Sequence, residues 1–198
     1  MGIQVDLGFS GLSVPPGTHF CAFFRGKDER NAIVAPFLRE GVQSGAKCVG
    51  ILDGPSEAAI AEELGVEADP GQLDLRLSSD FYNPDAGFTR PEMVTYWEAE
   101  AADTLVSGAW PFARYTGEMT TAVNQAIGAK EWVGYESDVN RFAPKYPQIL
   151  LCLYDLLDFS TSQLFVDILK THPMVLMGDT VLENMYFVEP DEFDRTHA

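Results

Sequence analysis

Short stretches that are apolar at consecutive positions recur along the chain, most clearly at His19–Phe24 (HFCAFF), Lys47–Leu52 (KCVGIL) and Gln148–Tyr154 (QILLCLY), and longer segments of helical periodicity lie between them. A strand apolar on both faces leaves no side for water, so it belongs in a sheet covered by helices above and below. Strand and helix in alternation build βαβ units, whose parallel strands are joined by right-handed crossovers. The pattern therefore predicts an α/β fold, a three-layer sandwich around a largely parallel sheet. Leu73–Leu77, Phe112–Thr116, Met174–Met177 and Met185–Val188 supply further strands. The last two, separated by the turn-like GDTVLEN, suit an antiparallel pair at the sheet edge.

The helical segments carry their own punctuation. Ile33, Val34, Phe37, Leu38 and Val42 share a face that ends at Gly45, with Pro36 placed to interrupt and kink that helix. Ser56 can cap a helix running to Gly65. Thr89 and Glu92 form a capping box ahead of a helix bearing Met93, Trp97, Ala101 and Leu105, closed at Gly108. Thr120 or Thr121 opens a region broken near Gly128, which resumes through Trp132, Tyr135, Val139 and Phe142 until Pro144 and Pro147. Ser160 and Gln163 read as a second capping box, ahead of Leu164, Phe165, Ile168 and Leu169.

No repeat, low-complexity tract or linker divides the chain, so residues 1–198 read as one domain. Hydrophobic residues at 46%, with 13 Phe, 7 Tyr and 3 Trp, suffice for a core. The balance of 30 Asp and Glu against 13 Lys and Arg gives a net charge of −17. A field of that sign repels phosphate backbones and anionic headgroups, which argues against nucleic acid and membrane surfaces as partners. Cys21, Cys48 and Cys152 each sit in an apolar run. The odd count, no CxxC and no signal peptide predict reduced thiols in a cytoplasmic protein. No apolar stretch reaches the roughly 18 residues of a membrane span.

Ligands of open parallel sheets bind beyond the carboxyl ends of the strands. Arg25, Lys27, Asp53, Asp80, Arg114 with Glu118, Asp155 and Asp179 follow or end such strands. Glu136 and Asn140, four apart, share a helix face, and His19 and Cys21, two apart, share a strand face. With His172 and Cys152 the latter could approach a metal, but no recognised ligand spacing is present and no metal is expected. The phosphate-loop signature is absent, since Gly26 and Lys27 are followed by Asp28 and no Gly stands five positions before Gly26. GFSGL at 8–12 lacks the closing Gly of a nucleophile elbow, and no Ser-His-Asp set emerges.

HFCAFFRGKDE, APFLREGVQSGAKCVGILD, RYTGEM, YESDVN, LLCLYDLLDFS and LKTHPMVLMG occur in order between Thr18 and about Phe193. Together they resemble the methanogen/methylotroph sensory domain family (MEDS). The resemblance implies a degenerate relative of RecA/KaiC-type ATPases, with HFCAFFRGKDE at the phosphate-loop position. It further implies sensing of small molecules, including hydrocarbon derivatives such as halomethanes, beside a DNA-binding or histidine-kinase-like ATPase partner. The family's motif positions fall on His19, Arg114, Glu118, Glu136, Asn140, Cys152, Tyr154, Asp155 and His172. The expectation is a non-catalytic sensor of a small ligand that reports to a regulatory protein, in trans or in a missing domain, with the cofactor left open. Its site is placed on the carboxyl rim around Arg114, Glu118, Glu136, Asn140, Tyr154 and Asp155, with Arg25 and His19 nearby. A residual nucleotide-binding enzyme and a structural interaction module are the alternatives.

Overall fold

The computed structural model describes residues 3–9, 11–82, 89–108, 110–125, 128–158 and 161–197. Its centre is a seven-stranded sheet of β3 (His19–Phe24), β4 (Lys47–Leu52), β5 (Leu73–Leu77), β6 (Ala113–Glu118), β7 (Gln148–Asp155), β8 (Met174–Met177) and β9 (Thr180–Glu183), in the spatial order β5-β4-β6-β7-β3-β8-β9. All neighbours pair in parallel except β8 and β9, which are antiparallel. β1 (Val5–Asp6) and β2 (Ser13–Val14) form a separate small hairpin, and Gly8, Phe9, Gly11 and Leu12 of GFSGL lie between its strands.

Two apolar clusters sandwich the sheet. On one face α1 (Gly26–Gln43) and α2 (Glu57–Leu64) bury Val34, Phe37, Leu38, Ile60 and Leu64 against Phe20, Leu52 and Leu151. On the other, α4 (Arg90–Ala102), α6 (Ala129–Phe142), α7 (Ser162–Thr171) and α8 (Pro190–His197) bury Trp97, Trp132, Val139, Ile168 and Phe193 against Val49, Tyr115 and Cys152. The short helices α3 (Ser78–Phe81) and α5 (Thr120–Gln125) lie between. This is the three-layer α/β sandwich that the apolar runs predict.

The punctuation holds at most ends. Ser56 accepts from the Ala59 N–H, Gly65 ends α2 in the left-handed conformation, and Thr89 with Glu92 closes both halves of a capping box. Three expectations change. α1 runs through Pro36 without a break, because its buried residues lie on both sides of the proline and packing offsets the missing hydrogen bond. Ser160 lies outside the described residues; Thr161 caps α7, accepting from the Leu164 N–H at 3.2 Å. The last strand is Thr180–Glu183 rather than Met185–Val188. Only Gly178 and Asp179 turn the chain there, with Gly178 at φ +62° as such a tight hairpin requires. Asn184 then ends the strand, its Oδ1 accepting the Tyr186 N–H at 3.0 Å.

Candidate functional site

The pairing of β3 with β7 sets Cys21 opposite Cys152 and Phe23 opposite Tyr154. Because side chains alternate along a strand, His19, Cys21 and Phe23 face the same helix layer as Leu150, Cys152 and Tyr154. α6 crosses above them. Its apolar stripe of Trp132, Tyr135 and Val139 also carries Glu136, which is completely buried, and Asn140 lies one turn further on. His172, directly after α7, enters from the side and is equally buried.

These groups converge on one carboxylate. Glu136 Oε2 lies 3.2 Å from His19 Nε2, 3.5 Å from His172 Nε2 and 3.5 Å from Cys152 Sγ. His19 Nε2 is also 3.3 Å from Cys152 Sγ. The Tyr154 hydroxyl donates to Glu136 Oε1 and accepts from Trp132 Nε1 at 3.4 Å. One ligand-type atom from each of His19, Glu136, Cys152 and His172 falls within 4.8 Å of all the others.

The surroundings fix both imidazoles. Asn140 Nδ2 donates to the carbonyls of Glu136, Ser137 and Thr171, at 3.2, 3.2 and 2.7 Å, so its Oδ1 is the atom presented to His19 Nδ1 at 3.1 Å. His19 Nδ1 must therefore carry a proton. His172 Nδ1 lies 2.8 Å from the Ile168 carbonyl, which only accepts, so that nitrogen is protonated too. Burial, with His19 nearby, pushes the His172 pKa down to about 3, and the ring is neutral. Burial opposes ionisation of Glu136, but the hydrogen bond from His19 and the other partners bring its carboxyl below the usual range. Burial and the Glu136 charge push the Cys152 thiol up.

Beside this cluster, between β6, β7 and helices α4 and α6, lies a cavity of about 20 Å³. Ile51, Trp97, Tyr135, Val139, Leu150 and Cys152 contribute to its mostly apolar wall. It has room for a water or a comparably small molecule, and an apolar lining favours the latter. Cys152 belongs both to this wall and to the polar cluster.

The residues expected to meet on the carboxyl rim are thus divided among three places. His19, Glu136, Asn140 and Tyr154 come together, but beneath the middle of the sheet. Strand alternation and the core-facing stripe of α6 aim them there. Cys152 and His172, which lack any recognised spacing in sequence, complete the group in space.

Glu118 does lie on the rim, where its Oε2 accepts from Arg30 Nη1 at 2.9 Å and from the Asp53 N–H at 3.0 Å. Burial and the nearby Asp53 carboxylate raise the Glu118 pKa. Arg30, only 3% exposed, also donates to the Asp53 carbonyl at 2.6 Å. Sequence reasoning missed Arg30, whose only signal was a cation on the buried face of α1. Asp155 sits nearby at the start of α1, accepting the N–H groups of Gly26 and Leu157 at 3.2 and 2.9 Å. Arg25 is exposed and lines an open groove of about 590 Å³ with Phe9, Glu29 and Gly178.

Arg114 lies elsewhere, packed under α1. It donates to the carbonyls of Phe37 and Asp6 at 3.2 and 2.7 Å and stands 5.3 Å from the Phe37 ring centre. Gly41 makes room for it, since a Cβ there would come within 2.6 Å of Arg114 Cδ. Arg114 thus ties α1 to the β1–β2 hairpin, away from Glu118. Strand β3 passes into α1 through Arg25 alone. That junction has no loop of the length that wraps a phosphate, and the first turn of α1 carries Asp28 and Glu29.

The model of the methanogen/methylotroph, DcmR sensory domain (MEDS) matches residues 18–173. No curated protein matches the chain in sequence. Among solved structures, a KaiC-like protein from the hyperthermophilic archaeon Pyrococcus horikoshii OT3 superposes with a TM-score of 0.60 at 11% identity, over 88% of this chain and 80% of that one. The flagellar accessory protein FlaH from Methanocaldococcus jannaschii superposes with a TM-score of 0.62 at 8% identity, over 94% and 90%. At such identities the likeness speaks for the fold, which is of the RecA/KaiC type.

Proposed function

From the membership of this chain in the MEDS sensory-domain family, we propose that it is a cytoplasmic sensor that takes a small, weakly polar molecule such as a halomethane into the cavity beside Cys152 and performs no turnover. The observation that carries this reading is the double position of Cys152. A molecule in the cavity touches a thiol that is itself within hydrogen-bonding reach of His19 and Glu136. Occupancy is therefore read by the buried polar cluster and not only by the apolar wall.

The same cluster leads to the surface. His172 is followed by Pro173 and then β8, and Asn184 at the end of β9 donates to the His172 carbonyl at 2.8 Å. Met177, Leu182, Met185 and Tyr186 are exposed along that edge. A ligand that favours one arrangement of His172 shifts the population of the β8–β9 edge by its differential affinity, and a regulatory protein docking there reads the shift. The nucleotide-binding alternative is less favoured, because Asp155, Asp28 and Glu29 crowd the start of α1 where a phosphate would sit.

Dibromomethane is a suitable probe; being larger than a water, it widens the cavity as it enters. At a hundredfold excess over its dissociation constant a ligand adds about 2.7 kcal/mol, which in a domain of this size raises the melting temperature by roughly 5–10 °C. The expected result is a saturable rise in wild type that disappears in Leu150→Phe, where the larger ring fills the cavity. An equal response of both proteins, or none in either, would overturn the reading.

A further inference from the structure

We infer that His19, Glu136, Cys152 and His172 form a metal site that holds one divalent transition-metal ion, zinc by the character of its donors. The inference adds a resident ion to the site proposed for sensing. It stands on different ground, because the ion can be held whether or not the cavity takes a ligand.

The first argument is distance. Around a tetrahedral zinc with nitrogen and oxygen at about 2.0–2.1 Å and sulfur at about 2.3 Å, the donor atoms stand roughly 3.3–3.6 Å apart. Here the separations are 3.2 Å for His19 Nε2 to Glu136 Oε2, 3.3 Å for His19 Nε2 to Cys152 Sγ, and 3.5 Å from Glu136 Oε2 to both Cys152 Sγ and His172 Nε2. Four of the six separations already match such a site; the other two, from His172 Nε2 to His19 Nε2 and to Cys152 Sγ, fall within 4.8 Å, so His172 closes in by about 1 Å when the ion binds.

The second argument is the direction of the lone pairs. Both histidines have Nδ1–H tied to a carbonyl oxygen, of Asn140 and of Ile168. Both Nε2 atoms therefore point at the carboxylate. This is the outer arrangement that fixes histidine ligands on a metal. Tyr154 does the same for Glu136, binding Oε1 and leaving Oε2 toward the other donors. A proton between His19 and Glu136 would satisfy that pair alone. His172 Nε2 would still be buried without a hydrogen-bond partner, as it is here, facing an oxygen that cannot donate to it. A cation at the centre satisfies all four donors at once.

The third argument is charge. Among the described residues Glu136 has no Lys or Arg ion partner. On binding, the Cys152 S–H ionises and its proton leaves to solvent. A dication with one thiolate, one carboxylate and two neutral imidazoles is then electrically neutral, as a buried site prefers. Mixed nitrogen, sulfur and carboxylate donors in a four-coordinate shell suit zinc and its cobalt substitute. With four protein ligands the shell is closed, so the ion holds Cys152 as a thiolate at the cavity wall.

Metal analysis of the full chain as purified, followed by removal of its metal and titration with cobalt(II), tests the assignment. The expected result is one tightly held ion per chain and, with cobalt, a thiolate-to-metal charge-transfer band with the intense visible bands of a four-coordinate ion. Cys152→Ser should abolish the charge-transfer band, and Asn140→Ala, which frees His19, should weaken binding by about 10–100-fold. If a variant fails to fold, the wild-type cobalt spectrum decides alone. Wild-type protein that takes up no cobalt, or shows only octahedral cobalt without a thiolate band, overturns the site. Loss of the dibromomethane response with the cobalt spectrum intact counts against the sensing reading and leaves the metal site standing.

Discussion

Replacing Glu118 with alanine is expected to destabilise the protein by about 3–5 kcal/mol, the cost of leaving a buried charge without its partner. Arg30 and Glu118 face each other at 2.9 Å with side chains only 4% and 8% exposed. Glu63 stands 3.6 Å from Arg30 Nη2 but is already engaged by Lys27. It can take over only part of the role. The Asp53 N–H also loses its acceptor. For a domain of this size the change corresponds to a fall in melting temperature of roughly 6–20 °C, measurable by calorimetry or urea denaturation. The double variant Arg30→Met, Glu118→Leu should recover most of the loss, because removing both charges removes the desolvation cost as well. A single variant that melts within about 2 °C of wild type would show that the pair is not structural, and would return Glu118 to the candidates for ligand contact.

Trp132→Ala is expected to cost about 3–5 kcal/mol, the range for emptying a buried tryptophan site, whereas Trp132→Phe should cost much less. Trp132 is fully buried, meets the Tyr82 ring edge-on with centroids 5.4 Å apart, and donates Nε1–H to the Tyr154 hydroxyl at 3.4 Å. Through Tyr154 it positions Glu136. Phenylalanine keeps most of the volume and loses that one donor, worth roughly 1 kcal/mol. Paired denaturation curves separate the contributions. Equal losses for Ala and Phe would mean that the hydrogen bond, and not the packed ring, holds this part of the core.

Much of the fold was legible because its signals are local. The runs HFCAFF and KCVGIL are strands over the same residues in the structure, since no other element suits five consecutive apolar positions bounded by polar residues. Ser56, Gly65, Thr89 and Glu92 mark helix ends by chemistry that acts within one turn. The two-residue strands β1 and β2 and the helix α8 were not legible. The strands are too short to show a period, and α8 buries little beyond Pro190 and Phe193.

The site was legible only in pairs. His19 with Cys21 and Glu136 with Asn140 each share a face by spacing alone. That these two faces meet each other and the Cys152 and Tyr154 side of β7 depends on β3 lying beside β7, strands more than a hundred residues apart with three others between them in sequence. No local pattern encodes that adjacency. The signal that could have placed the group was the position of Glu136 on the stripe of Trp132, Tyr135 and Val139, where burial demands a partner. The carboxyl-rim rule misplaced the group, because it describes where loops gather and not where a helix presses polar side chains onto a sheet.

Whether sensing occurs at the buried cluster is tested most directly by a crystal structure of the protein soaked with dibromomethane, recorded at the bromine absorption edge. The account predicts bromine peaks inside the cavity, in van der Waals contact with Cys152 Sγ at about 3.5–4 Å and bounded by Trp97 and Val139. Peaks confined to the carboxyl rim, beside Arg25, Glu118 or Asp155, or a cavity that stays free of bromine at concentrations that saturate the melting response, would contradict it.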